Sequence, residues 1–135
     1  MRTALALAAA LLASSPAFAA KSDPACPAGK LQRVRVSEIR PGGSLAGFRE
    51  AFGLHARWYA QRGYRTDRLS MSPVVAENGM GRGRKGAVRV VTIHTGVSNV
   101  PREKQDAAWK AFVAKYKENS RIVSTTMTCT DTAQG

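Results

Sequence analysis

Two histidines, His55 and His94, are the side chains of this sequence whose charge can change near neutral pH. Together with Tyr59 and Arg62 they could line a pocket that binds a small anionic ligand, with a histidine available as acid or base. The alternative is that each histidine is a core or edge residue whose ring is satisfied by a backbone carbonyl. We therefore take these four residues as candidate ligand contacts and assign no catalytic residue.

Cysteine is the second residue type with chemistry of its own, and it occurs at Cys26 and Cys129. An isolated pair in an oxidising compartment usually forms a disulfide, and two cysteines allow one intramolecular pairing. Neither the cysteines nor the histidines have partners at the spacing that a metal site requires. The sequence predicts a Cys26–Cys129 disulfide, no metal site and no cofactor.

One glycine-rich segment has the letters of a dinucleotide-binding motif, Gly81-Arg-Gly-Arg-Lys-Gly86. That motif needs a strand before it and a helix N-terminus after it to meet the pyrophosphate. Here the glycines precede a predicted strand, so residues 79–86 are interpreted as a hairpin loop whose basic side chains could bind an anion nonspecifically. Motifs typical of serine hydrolases, zinc peptidases and P-loop enzymes are also missing from the sequence.

The first residues have the three parts of a secretory signal: a basic start at Arg2, an apolar run from Ala4 to Ala13, and Ala-x-Ala at Ala17 and Ala19. The apolar run is too short to span a bilayer, which takes about 20 residues. We expect cleavage after Ala19, a single mature domain over residues 20–135, no membrane span, and a periplasmic or secreted location.

Basic residues outnumber acidic ones, and the formal net charge is +12, which falls by one when Arg2 leaves with the signal. Such a field favours a small anionic ligand, an acidic envelope component or nucleic acid, and it also serves solubility. Nucleic acid is disfavoured, because export separates the domain from RNA and the third predicted strand has no aromatic residue on which a base could stack.

Two hydrophobic periods divide the mature chain into six elements. Period-two alternation predicts four strands, at about residues 31–39, 69–75, 87–95 and 121–130. A helix should run from Leu45 to about Arg62, with Ser44 as its N-cap and Gly63 after its end. A second helix should end near residue 119. The expected core side chains are Phe48, Phe52, Trp109, Phe112 and Val113.

The resulting order, β-α-β-β-α-β, is the ferredoxin-like α+β plan, a four-stranded antiparallel sheet with both helices on one face. Its strand order of 4-1-3-2 places the start of the first strand beside the end of the fourth. Cys26 precedes the former and Cys129 ends the latter, so the predicted disulfide agrees with the predicted topology.

Two aromatic helix segments, Phe48 to Gly63 and Trp109 to Tyr116, resemble small exported members of the dimeric α+β barrel superfamily. The resemblance covers nearly the whole mature chain as an order of elements, and as a motif only these two segments. It implies a ferredoxin-like unit that pairs with a second copy. Members of the superfamily include cofactor-free monooxygenases, small isomerases, haem enzymes and ligand-binding proteins without catalytic activity.

The residues on the open face of the sheet indicate whether the domain pairs with a second copy. If Val34 and Val36 face the helices, then Arg33 and Arg35 lie on the open side. The third strand keeps at least two apolar β-branched residues on the open side in either orientation. Packing two sheets together would cover these residues, which predicts a homodimer.

These observations favour an exported small basic domain that binds a small anionic ligand or an acidic envelope partner without catalysis. The alternative is a cofactor-independent enzyme, monooxygenase-like or isomerase-like, as the resemblance implies. An enzyme should have a closed pocket in which His55 or His94 lies within hydrogen-bond reach of a second polar group.

Overall fold

A computed structural model describes residues 24–74 and 88–130 of the chain. The predicted signal sequence at residues 1–19 and the glycine- and arginine-rich loop at residues 79–86 lie outside the described residues. The expectations for both segments therefore remain predictions.

The described residues form a ferredoxin-like α+β fold. Its elements in chain order are β1 (Leu31–Ile39), α1 (Leu45–Gln61), β2 (Arg68–Pro73), β3 (Arg89–Thr95), a short 3-10 turn (Arg102–Lys104), α2 (Ala107–Asn119) and β4 (Ser120–Cys129). The strands make one antiparallel sheet in the order β2-β3-β1-β4, which is the predicted topology. The observed ends of β2, β3 and β4 lie within two residues of the predicted ones.

Both helix starts are fixed by side chains that accept hydrogen bonds from the first turn. The Ser44 hydroxyl accepts from the Gly47 N–H at 2.9 Å, as the sequence predicts for α1. The Asp106 carboxylate caps α2 in the same way, accepting from the Trp109 N–H at 2.9 Å. Gly63 follows α1 with a φ of 79°, a left-handed conformation that costs glycine little.

A disulfide joins the two ends of the described domain, as predicted. Cys26 and Cys129 are bonded, with a Cα–Cα distance of 5.5 Å and a sequence separation of 103. The pairing of Leu31 with Cys129 across β1 and β4 explains the proximity, because the antiparallel register returns the last strand to the start of the first.

The core lies between the two helices and the sheet. Phe48 and Phe112 are buried, in agreement with the sequence analysis, whereas the ring of Trp109 is only half-buried. Trp58, which the helical pattern places at the flank of the apolar stripe, is 2% exposed and packs with Tyr59 at the centre of the core.

The orientation of β1 differs from the arrangement considered from the sequence. Arg33 and Arg35 point to the helix side of the sheet, where they line a cavity with residues of α1 and α2. Val34 and Val36 therefore occupy the open face. The helix side of this strand can accept charged side chains because the helices leave a cavity above it rather than packing directly onto it.

No helix in the described ranges has both the length and the apolar character that crossing a bilayer would require.

Candidate functional site

A cavity of about 640 Å³ lies between the helices and the sheet. Its walls are mainly apolar and aromatic, from residues Phe48, Phe52, His55, Tyr59, Trp109, Phe112 and Tyr116. Side chains of β1 and β3 form its floor, and the exposed residue Ile122 lines it on the β4 side. Small-molecule sites are commonly of this size, apolar on most sides with a few polar groups.

His94 lies on β3 and is held by a carboxylate. Its Nε2 is 2.6 Å from Oδ1 of Asp67, and both residues are buried. Asp67 stands just before β2, where the register pairs Leu69 with His94, so its side chain reaches the neighbouring strand. Burial lowers the pKa of His94, while the hydrogen bond and the charge of Asp67 act in the opposite direction.

The Asp67 carboxylate has further donors. The Ser98 N–H donates to Oδ1 at 2.9 Å and the Ser98 hydroxyl donates to Oδ2 at 2.6 Å. The side chain is 0% exposed and receives donors at both oxygens. A carboxylate in this position is fixed in orientation and acts only as an acceptor.

His55 on α1 sits on the opposite wall within the aromatic cluster. Its ring stacks on Phe112 with centroids 4.5 Å apart, and Nδ1 is 3.4 Å from the Tyr116 hydroxyl oxygen. Burial, followed by the nearby His94, Arg35 and Arg33, lowers its pKa to about 3. The ring is therefore neutral at neutral pH.

Tyr59 lies one helical turn after His55 and connects the two histidines. Its ring meets His94 edge-on at 4.8 Å and His55 at 5.3 Å between centroids. Burial and then the charge of Asp67 raise the pKa of its phenol to about 12. The hydroxyl remains protonated at neutral pH and can act as a hydrogen-bond donor.

Arg62, the fourth residue expected at the site, lies elsewhere. Its guanidinium pairs with the Asp106 carboxylate, with Nε 3.0 Å from Oδ2, and stands over the Trp58 ring at 4.6 Å. It is not among the residues that line the cavity. The structure thus brings His55, Tyr59 and His94 together and places Arg62 at the junction of the helix ends.

Two arginines of β1 bring positive charge to the floor of the cavity instead, and Arg40, Lys117 and Arg121 also line it. Arg33 and Arg35 line its floor, and the register places Arg33 opposite His94 and Arg35 opposite Thr92. Burial, followed by the charge of Arg33, lowers the pKa of Arg35. Nε of Arg35 is buried and has no hydrogen-bond partner among the described residues.

The sequence reasoning did not identify Arg33, Arg35 or Asp67 as site residues. The alternation of β1 shows that the two arginines share a face, but not which face the helices cover. Asp67 lies in the connection between α1 and β2, and its contact with His94 depends on the strand register, for which the sequence carries no local signal.

The closed, histidine-containing pocket that we expect of an enzyme is present in part. Both histidines lie in the cavity, and His94 has a polar partner within hydrogen-bond reach. The cavity is partly open along β4, where Ile122 is 56% exposed, rather than closed. Over residues 24–74 and 88–130, no three His, Cys, Asp or Glu side chains are grouped as metal ligands would be.

Fold and cavity together define a ferredoxin-like α+β domain with a cationic, aromatic pocket between its helices and its sheet.

No protein-family model matches the sequence, and no curated protein matches it. Among solved structures, it is similar to SnoaB, a cofactor-independent oxygenase from Streptomyces nogalater, with a TM-score of 0.49 and 14% identity over 80% of this chain and 100% of that chain. It is also similar to At3g17210 from Arabidopsis thaliana, with a TM-score of 0.42 and 9% identity over 78% of this chain and 97% of that chain. These distant likenesses carry no information about what this chain binds.

Proposed function

We propose that the domain binds a small anion with a flat apolar body in the pocket between its helices and its sheet. The observation that carries the proposal is the pair Arg33 and Arg35, which line the pocket floor and have no carboxylate partner among residues 24–74 and 88–130. Two like charges on one strand face, partly removed from water, are unfavourable unless an anion compensates them.

The nearby carboxylates are committed to other groups. Asp67 accepts from His94 and Ser98, and Glu38 pairs with Arg121 and Arg89. No acidic residue in the described ranges forms an ion pair with Arg33 or Arg35. A bound carboxylate or enolate would supply the missing negative charge, and the unpartnered Arg35 Nε–H is available to donate to it.

The aromatic walls determine what kind of anion fits. The rings of His55, Phe112 and Trp109 contact one another within 6.4 Å between centroids, and all three line the pocket. Such a wall packs well against flat, unsaturated molecules, whereas a small hydrated ion would make few favourable contacts with it. The cavity volume of about 640 Å³ suits a molecule of one or two rings.

Calorimetric titration of the purified domain with 2-naphthoate, compared with neutral 2-naphthamide, tests the proposal. We expect the acid to bind and the amide to bind at least about tenfold more weakly, because a hydrogen bond to a charged group contributes roughly 1.5–3 kcal/mol. Arg35→Met should weaken naphthoate binding by a similar factor. Arg49→Met, which removes an equal charge from an exposed position on α1, should leave it unchanged. Equal affinity for acid and amide would contradict the proposal.

A second candidate function is catalysis without a cofactor. The specific observation in its favour is the 2.6 Å hydrogen bond between buried Asp67 and His94, which also lines the pocket. Both candidates use the same cavity and differ in whether the bound molecule is changed.

The proposed location is outside the cytoplasm. The bonded pair Cys26–Cys129 supports it, since disulfides persist mainly in oxidising compartments. N-terminal sequencing of protein recovered from outside the cytoplasm should begin at Ala20. A first residue within 1–19 would contradict the predicted cleavage.

A further inference from the structure

Asp67 and His94 differ from the other polar residues of the pocket because their geometry specifies where a proton is held. The Asp67 oxygens accept hydrogen bonds from the N–H and the hydroxyl of Ser98. The Asp67 carboxylate is therefore also the acceptor in its third hydrogen bond, to Nε2 of His94. Nε2 of a neutral imidazole facing an acceptor carries the hydrogen. The lone pair of His94 is then on Nδ1.

The Nδ1 lone pair accepts no hydrogen bond from the residues that the structure describes. Within residues 24–74 and 88–130, His94 makes no hydrogen bond other than the one to Asp67. The ring lines the pocket and contacts Tyr59 and His55 edge-on, so neither of these aromatic contacts uses the lone pair as an acceptor for an N–H or O–H. A buried imidazole with one nitrogen fixed by a carboxylate and the other free is arranged as a general base.

The pocket cations lie next to this base. Arg33 is the direct cross-strand partner of His94, and such partners have Cβ atoms about 5 Å apart. Arg35 lies two residues along the same strand, on the same face. An anion held by the two guanidinium groups therefore has its neighbouring carbon atoms beside His94, and negative charge that develops on an adjacent oxygen is stabilised by the same cations.

We propose that the pocket is a proton-transfer site for small aromatic 2-oxo carboxylates, in which His94 is the base, Asp67 positions it, and Arg33 and Arg35 hold the carboxylate and the enolate. The proposal rests on the anion binding proposed above. The C–H bond next to the ketone breaks and its electron pair forms the C=C bond of the enolate, while the π pair of the C=O bond moves onto the ketone oxygen and the proton passes to Nδ1 of His94. When the proton on His94 is replaced by a deuteron from solvent, its delivery to carbon gives exchange, and protonation of the enolate oxygen gives the enol, so no oxidant or cofactor is needed.

Phenylpyruvate is the test substrate, because it combines an aromatic ring, a carboxylate and an enolisable CH₂. We expect the full domain in D₂O to exchange these hydrogens faster than buffer alone, measured by proton NMR. Benzoylformate is the binding control, since it has the same ring and oxo acid but no enolisable hydrogen.

Two substitutions separate the base from its positioning residue. His94→Gln should lower the exchange rate at saturating phenylpyruvate by about 100-fold or more, in the range that general bases contribute. Asp67→Asn should lower kcat while the Kd of benzoylformate stays within about threefold, because it changes the proton position on His94 and not the arginines. Asp106→Asn, the same change outside the pocket, should leave exchange unaffected, since Asn is also a good N-cap.

The outcomes distinguish the two proposals. Benzoylformate binding with exchange at the buffer rate would overturn the proton-transfer inference and leave anion binding intact. Exchange that persists in His94→Gln would overturn the assignment of the base. Absence of benzoylformate binding to the unmodified domain would overturn both proposals. Benzoylformate binding and the exchange rate are both measured on the unmodified protein. They therefore test the two proposals even if a substituted chain fails to fold.

Discussion

The two pocket histidines share one aromatic cluster but have different surroundings. His94 faces a carboxylate at 2.6 Å, whereas His55 faces the neutral Tyr116 hydroxyl, with Nδ1 3.4 Å from its oxygen. The charges of Arg33 and Arg35 act on both rings and disfavour a second cation in the pocket. Burial and the nearby cations lower the pKa of His55 to about 3, and the opposing charge of Asp67 is the smallest of these effects, so protonation of this ring is costly.

This difference predicts an acid-sensitive stability that depends on His55. The pKa of the ring is about 3 in the folded domain and about 6.5 in the unfolded chain. Between these values the unfolded chain binds more protons, so stability falls as the pH is lowered from about 6.5 toward 3, by up to about 1.4 kcal/mol per pH unit. Urea unfolding between pH 4.5 and 6.5 should show this slope, and His55→Phe, which keeps the stack on Phe112, should flatten it.

Two features keep the measurement specific to His55. Asp106, whose pKa is lowered to about 2 by its hydrogen bonds from Trp109, Trp58 and Arg62, affects stability mainly below this pH range. His94 titrates in the same direction but remains in the His55→Phe variant, so a residual slope is expected. Identical slopes for the two proteins would show that His55 protonates as readily in the folded domain as in the unfolded chain.

At the level of elements, a single residue fixes the junction of α1 and α2. The Asp106 carboxylate caps α2 and also accepts from the Trp58 indole N–H at 2.9 Å and from Arg62. The indole can be buried at the end of α1 because its one polar group has a partner. Trp109 packs edge-on against it at 4.9 Å but remains half-buried, since it borders the cavity.

Trp58→Ala should therefore destabilise the domain more than Trp109→Ala. Removing a buried tryptophan ring costs roughly 3–5 kcal/mol, and Trp58 is 2% exposed. The half-buried Trp109 has less apolar area to lose, so we expect a clearly smaller decrease. Guanidinium unfolding of both variants measures the difference. A larger loss for Trp109→Ala would place the centre of the core on α2 instead.

Element order and the Ser44 cap could be predicted because each depends on local signals, and the disulfide because two cysteines allow one intramolecular pairing. The orientation of β1 could not, because its alternation of arginine and valine is compatible with either face until the surroundings are known. The usual assumption that apolar residues face the helices fails here, since the helices leave a cavity over Arg33 and Arg35. The cationic part of the site was therefore missed, together with Asp67, whose role depends on a strand register.

At the level of the whole molecule, the open face of the sheet has an apolar patch at the centre of its two middle strands. Alternation along the paired strands puts Arg33, Arg35 and His94 on the helix side and Val34, Val36, Val91 and Ile93 on the open side. Val36 pairs directly with Val91, and Val34 with Ile93, so the four residues form a continuous patch across the two central strands. All four are only half-buried in the single chain.

This patch predicts a symmetric homodimer in which two sheets pack face to face. Covering β-branched side chains of two central strands is favourable, and the same patch on both copies gives an isologous interface.

Sedimentation equilibrium near micromolar concentration should give the mass of two chains. Val91→Lys should give the mass of one chain, because each interface would then bury two unpaired cations. Val88→Lys, the same substitution at a 44% exposed position, should remain dimeric. Reversible thermal unfolding of the Val91→Lys chain would show that it is folded. A folded unmodified chain that sediments with the mass of one copy would contradict the paired sheets. The apolar patch on the open face would then need another partner.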